Sequence, residues 1–176
     1  MLSSDDMTYI GQGTPKFTYG LTVNLAWKGF DFTLYGAGLG GNSIVPVLHR
    51  TGFKNSLKVY LDNANTDANP DGWMPNPGKI VSPNSEFWSS SGNVFRGDFF
   101  RIKQLQLGYS LPQSILRRTP LTEVRLYASL DDFFTFSSYP GLDPETASTN
   151  NTTGTGLDWG SYPTMRKVIF GLNLTF

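Results

Sequence analysis

The sequence predicts an all-β fold: a piece of an antiparallel transmembrane β-barrel, about five strands, with long extracellular loops. Three observations lead there. Apolar residues recur at every second position over runs of membrane length. The connections between those runs alternate between short and long, and aromatic residues gather at both ends of the runs.

The first fifteen residues read as the remnant of an extracellular loop. From Lys16 to Trp27, Phe17, Tyr19, Leu21, Val23, Leu25 and Trp27 alternate with Thr18, Gly20, Thr22, Asn24 and Ala26. Successive side chains of a strand point to opposite faces, so this run has one apolar and one polar face. Its length suits a tilted membrane strand of about 9–11 residues better than a globular strand of about 5–6. Lys28-Gly29 turns the chain into a second strand at 30–40, where Phe32 and Leu34 carry the apolar face and Gly36, Gly38 and Gly40 let it fade. Those glycines, with Gly41, suit either a bend or close approach by another backbone. A third strand at 99–111 sets Leu105, Leu107, Tyr109 and Leu111 against Gln104, Gln106, Gly108 and Ser110. A fourth at 123–136 sets Val124, Leu126, Ala128 and Leu130 against Arg125, Tyr127, Ser129 and Asp131. The last, at 166–176, alternates Val168, Phe170, Leu172, Leu174 and Phe176 with Gly171, Asn173 and Thr175. Helical turns are expected only at Asn55–Leu61 and Pro112–Arg118.

The connections select the architecture. They are a two-residue turn at Lys28-Gly29, a long loop at 41–98, a modest turn at 112–122 and a long loop at 137–165. Transmembrane barrels have short periplasmic turns and long extracellular loops, whereas a soluble sandwich has no reason to place every long loop at one end. Trp27, Phe30, Tyr109 and Phe176 fall near the short-turn ends, and Phe17, Phe99, Phe100, Phe133, Phe134 and Phe136 near the long-loop ends. Two aromatic girdles of this kind mark two membrane interfaces. Polar positions Asn24, Asp31, Gln104, Gln106, Arg125, Asp131 and Asn173 then wet a lumen.

Composition removes other classes. The formal net charge is +0, so no basic stripe is available to neutralise nucleic-acid phosphates. There is no Cys, which excludes disulfide scaffolds, thiolate catalysis and Cys-based zinc sites. No apolar run reaches the roughly 18 residues of a membrane helix. The start, Met1 to Asp6, lacks the basic and apolar regions of a signal peptide, so a membrane barrel is expected to begin upstream of this chain.

No catalytic chemistry is expected. His49 is the single histidine, and no nucleophile motif accompanies it. Asp67, Asn69 and Asp71 followed by Gly72 form the front half of a calcium loop, but Gly78 stands where the closing Glu belongs. The same composition makes ordinary Asx turns, the preferred reading. Asp143-Pro144-Glu145 is a rigid loop corner and not a catalytic acid pair. Arg117-Arg118 is a solvated pair in a periplasmic turn. No cofactor or metal is expected.

Several segments together resemble the C-terminal region of SusC/RagA-like, TonB-dependent outer-membrane transporters of the Bacteroidetes type. They are Pro15–Gly20, Phe100–Pro112 (FRIKQLQLGYSLP), Phe133–Phe136, Tyr139–Glu145 (YPGLDPE), Gly160–Pro163 and Phe170–Phe176. The resemblance implies a barrel of roughly 22 strands with a plug in its lumen. It also implies energisation by the TonB complex, a SusD-like surface lipoprotein and import of glycans or, in some members, peptides across a Gram-negative outer membrane. Gly171, Leu174 and the terminal Phe176 resemble the signal read by the outer-membrane insertion machinery. The N-terminal plug and the remaining strands are then missing partners. Five strands cannot close, and edges left facing lipid would cost on the order of tens of kcal/mol; the chain is therefore not active alone.

Trp73, Trp88, Tyr139 and Trp159 fall in the long loops, where flat rings suit stacking on sugar faces; they equally suit packing of the loops. The alternative reading is a soluble β-sandwich carbohydrate-binding module using the same tryptophans, which detergent dependence would separate from a barrel.

Overall fold

The computed structural model describes residues 7–47, 57–76, 86–149 and 154–176. In chain order the strands are β1 (Phe17–Trp27), β2 (Phe30–Gly40), β3 (Ser43–Pro46), β4 (Phe95–Arg96), β5 (Phe99–Ser110), β6 (Glu123–Ser137), β7 (Leu157–Asp158) and β8 (Lys167–Thr175). Short helices α1 (Lys58–Asp62), α2 (Gln113–Leu116) and α3 (Pro144–Thr149) lie in the connections. The five alternating runs become one five-stranded sheet in the order β1-β2-β5-β6-β8, and the shorter strands form a three-stranded sheet, β4-β3-β7. The chain divides into a loop unit (Met1–Phe17, Gly40–Asp98, Ser137–Pro163) and a strand unit (Thr18–Leu39, Phe99–Phe136, Thr164–Phe176).

Register in the strand unit follows the period-two pattern. Phe30, Phe32 and Leu34 of β2 oppose Tyr109, Leu107 and Leu105 of β5, while Asp31 and Thr33 oppose Gly108 and Gln106. Val124, Leu126, Ala128 and Leu130 of β6 oppose Leu174, Leu172, Phe170 and Val168 of β8. A slip of one residue would turn each apolar row to the polar face, so the pattern itself specifies the pairing. The apolar face is uncovered: Leu25 is 61%, Trp27 68%, Phe170 80% and Leu172 54% exposed. An apolar surface that spans a whole sheet marks a membrane or partner contact.

Strict alternation fails between β2 and β5. Tyr35 pairs with Gln104 and Gly36 with Ile102, leaving Lys103 as an extra residue in β5. Continued alternation from Leu105 would send Lys103 and Arg101 into the apolar face. The bulge changes the phase of the strand, so Ile102 and Phe100 share the apolar face and Arg101 the polar one. Arg101 is 3% exposed, and its Nε donates to Thr135 Oγ1 at 2.8 Å. Lys103 approaches Asp132 at 3.4 Å, and Asp132 itself has a left-handed φ of 54°. Phe99 opposes Leu39 and is 5% exposed, so it points inward and does not belong to the outer girdle, contrary to its position in sequence.

The apparent fading of the apolar band at Gly36, Gly38 and Gly40 is resolved by packing. A Cβ at these positions would overlap the rings of Phe100, Tyr19 and Phe17 respectively. Neighbouring aromatics therefore lie over the glycines and continue the band. Tyr19 and Phe100 stack at 5.8 Å with an interplanar angle of 6°, and the Tyr19 hydroxyl donates to the Phe99 carbonyl at 3.1 Å.

Candidate functional site: a loop aromatic ladder and a polar sheet face

The loop 41–98, expected as an irregular excursion, builds a small core of its own with the loop 137–165. β3 pairs antiparallel with β4 and parallel with β7. Ile44, Tyr139 and Ala147 form its centre, with Phe95 packed against them. Backbone polar groups must be satisfied for such a loop to bury anything. Asn93, fully buried, does much of this: its Nδ2 donates to the carbonyls of Pro46 and Trp88, and its Oδ1 accepts from the Tyr60 hydroxyl. The Asp143 carboxylate accepts the Glu145 N–H at 2.9 Å, with Pro144 opening α3. This is an N-cap followed by Pro at the first helical position, so the acidic corner is a helix start.

Rings form a continuous ladder through this unit. Trp73 stacks on Phe87 at 6.4 Å and 29°; Phe87 meets Trp88 edge-on at 5.2 Å. Tyr60 contacts Phe87, Trp88 and Phe95, and Phe95 meets Tyr139 at 6.4 Å. The ladder runs from Trp73, 47% exposed, to Tyr139, 7% exposed. Burial first, and then its hydrogen bond to Asp158, holds the Tyr139 phenol far above its ordinary range. Tyr60 is likewise pushed up, chiefly by burial.

Of the four candidate sugar contacts, Trp73 presents an open face. Trp88 is partly buried among Tyr60 and Phe87, and Tyr139 is committed to the core through Asp158. Trp159 is partly buried, with its indole nitrogen enclosed and lacking an acceptor among the described residues. Asp67, Asn69 and Asp71 lie in consecutive turns. Thr66 and Asn69 exchange backbone hydrogen bonds, and the Asn69 amide donates to the Ala64 carbonyl at 3.2 Å. Among the described residues no group of three or more His, Asp or Glu side chains is placed to hold a metal ion. His49 lies outside the described residues, as does the first part of the expected turn at Asn55–Leu61.

The loop base is tied by Asp98. Its Oδ1 accepts the Gly41 N–H at 2.6 Å and its Oδ2 accepts Arg96 Nε at 2.8 Å, while its carbonyl accepts the Ser137 hydroxyl at 2.9 Å. Burial pushes its carboxyl up, but the Gly41 N–H and the Arg96 guanidinium outweigh that and hold it below the usual range.

On the polar face of the strand unit, Thr33 donates to Asn24 at 3.1 Å. Arg125 of β6 reaches across β5 to Asp31 of β2, its Nε donating to Oδ2 at 2.9 Å. Gly108 lies beneath, where any Cβ would collide with both groups. Arg125 also lies 5.0 Å from the Tyr127 ring centroid, and Tyr127 covers its strand partner Gly171. Gly171 thus leaves space for a lumenal ring, while Leu174 and Phe176 are exposed at 46% and 81%. Periodicity placed these residues on the face; nothing in it signalled that two glycines would act as seats.

No protein-family model matches the chain. It is 37% identical to TonB-dependent receptor P3 of Formosa agariphila over 99% of its own length, which is 18% of that protein. It is 26% identical to TonB-dependent receptor SusC of Bacteroides thetaiotaomicron, over 89% of this chain and 15% of that one. A solved structure described as the RagAB peptide transporter superposes over 100% of this chain and 19% of the solved chain, with TM-score 0.76 and 24% identity.

Five membrane-length antiparallel strands, apolar on one face and polar on the other, define a segment of a transmembrane β-barrel of the outer-membrane kind. Within that class the chain is similar over nearly its whole length to a segment of TonB-dependent receptors, SusC among them. It spans about a fifth of the length of the relatives it matches.

Proposed function

We propose that this segment supplies five wall strands and two surface loops to a receptor that imports nutrients, with glycans as cargo, across the outer membrane of a Gram-negative, Bacteroidetes-like cell. The observation that carries the reading is the two-faced sheet. Its apolar face suits lipid, and Asn24, Asp31, Gln104, Gln106, Arg125 and Asn173 on the other suit a water-filled lumen with a plug. The plug and remaining strands belong to the rest of the receptor, energised through the TonB complex. A SusD-like lipoprotein covers the loops. The last strand, with Gly171, Leu174 and Phe176, is read by the insertion machinery. The segment performs no catalysis. Trp73 is the cargo contact best supported among the loop aromatics, because its ring is exposed and backed by Phe87.

The test is uptake of labelled oligosaccharides by cells expressing the receptor that carries this segment, with and without Trp73→Ala. Loss of a sugar–aromatic contact should lower uptake at limiting cargo by about tenfold, given roughly 1–1.5 kcal/mol for one stacked ring. Uptake of peptides but not oligosaccharides would favour the second reading, a peptide importer, which the fold likeness to RagAB supports.

A further inference from the structure

The apolar face of the strand unit is not uniformly filled. Above Ala128 it carries a shallow groove of about 330 Å³ lined by Phe30, Leu107, Tyr109, Leu126 and Phe170. Ala128 is the small residue in an otherwise bulky row, Val124, Leu126 and Leu130, and its partner Phe170 stands up beside it, 80% exposed. The groove continues a face whose surroundings are hydrocarbon, so its occupant is hydrocarbon too. Ala128 lies five residue steps from the start of β6 at Glu123, about 17 Å along the strand. At the tilt of barrel strands that is close to half of the ~30 Å hydrocarbon core, the depth of one leaflet. The rim at that end carries Lys28, two residues before Phe30, together with Arg117 and Arg118 in the turn 112–122. All three are exposed, and none forms an ion pair among the described residues; Glu123 is the acidic side chain at the start of β6.

We propose that this groove is a binding site for one anionic phospholipid of the periplasmic leaflet, with an acyl chain seated over Ala128 and the phosphate held at the Lys28, Arg117 and Arg118 rim. Hydrocarbon packing retains the chain, and the cationic rim selects the headgroup; each basic residue near an anionic surface adds to that attraction. The inference rests on the apolar face being lipid-covered but not on the identity of the cargo.

The experiment uses the receptor carrying this segment, purified in mild detergent and delipidated, then titrated with phosphatidylglycerol or phosphatidylcholine and read by native mass spectrometry. A heat-modifiable gel shift confirms that each variant remains a closed barrel. The wild type should retain one phosphatidylglycerol in preference to phosphatidylcholine. Ala128→Phe fills the groove and should weaken retention about tenfold, the effect of losing roughly 60 Å² of apolar contact. Lys28→Gln/Arg117→Gln/Arg118→Gln, which leaves the groove intact, should abolish the headgroup preference while a neutral lipid still binds. Equal retention of both lipids by the wild type, or a folded Ala128→Phe variant that holds phosphatidylglycerol unchanged, overturns the proposal. Should Ala128→Phe fail to close, the rim variant decides: an unchanged preference overturns the site. Failure of oligosaccharide uptake with these lipid results intact would count against the cargo reading alone.

Discussion

Arg125 and Asp31 are joined across an intervening strand. Two hydrogen bonds, at 2.9 and 2.5 Å, span from β6 to β2 over Gly108 of β5. The pair is partly exposed, with side-chain accessibilities of 20% and 33%, and the planar guanidinium engages both carboxylate oxygens. Such a bridge ties three strands with one contact, provided that nothing stands on the middle strand.

Gly108→Val should therefore break the bridge sterically without removing either charge. Overpacking at a position of this kind costs about 1–3 kcal/mol. Removal of the charge by Arg125→Met should cost less, about 1 kcal/mol, because solvent still reaches and screens this partly exposed pair. Urea unfolding of the receptor carrying the segment, followed by tryptophan fluorescence, checks the order; a harmless Gly108→Val would refute the seat.

Tyr127 and Gly171 make a second seat. Gly171→Val should displace the Tyr127 ring and destabilise the β6–β8 pairing by about 1–3 kcal/mol. Tyr127→Ala should then relieve most of that penalty, which a double-mutant cycle reads as a coupling energy. Additive effects would show that ring and glycine act independently.

Acid should loosen the loop base. The Asp98 carboxyl is held below its ordinary value, so its stabilisation is complete above the unfolded carboxyl value of 3.8 and is lost as pH falls through the lower folded value. Exchange of the Gly41 amide should accelerate in that acid window, and Asp98→Asn should remove the dependence. Hydrogen exchange resolved at Gly41 makes the measurement.

Tyr139→Phe should destabilise the loop unit by about 1–3 kcal/mol, since it leaves the buried Asp158 without its phenol donor. The change should appear as faster proteolysis within 137–163, with the strand pairing of the barrel unaffected. In the wild type, an ultraviolet titration should leave the Tyr139 and Tyr60 phenols protonated beyond the ordinary tyrosine range, because burial opposes their ionisation.

The five long strands and their faces were legible because a period of two is a local property. Leu105, Leu107 and Tyr109 announce one face without reference to any other strand. The loop unit was not legible in the same way. β3, β4 and β7 are two to four residues long, too short to show a period, and they form because Asn93, Asp158 and Tyr139 close hydrogen bonds between residues far apart in sequence. Tyr139 was a candidate surface contact by its place in a long loop, yet the fold buries it; Trp73, with the same credentials, stays open.

The sequence by itself determined the number of long strands, their approximate extent, the alternation of connections and most of each long strand's apolar row, since all follow from spacing along one chain. It also carried the family resemblance. Only the tertiary structure decided the bulge at Lys103, the inward turn of Phe99 and the seating of rings and guanidinium over Gly36, Gly38, Gly108 and Gly171. Each depends on which side chain a neighbouring strand places opposite a given residue, and a glycine records no more than that space is left for one.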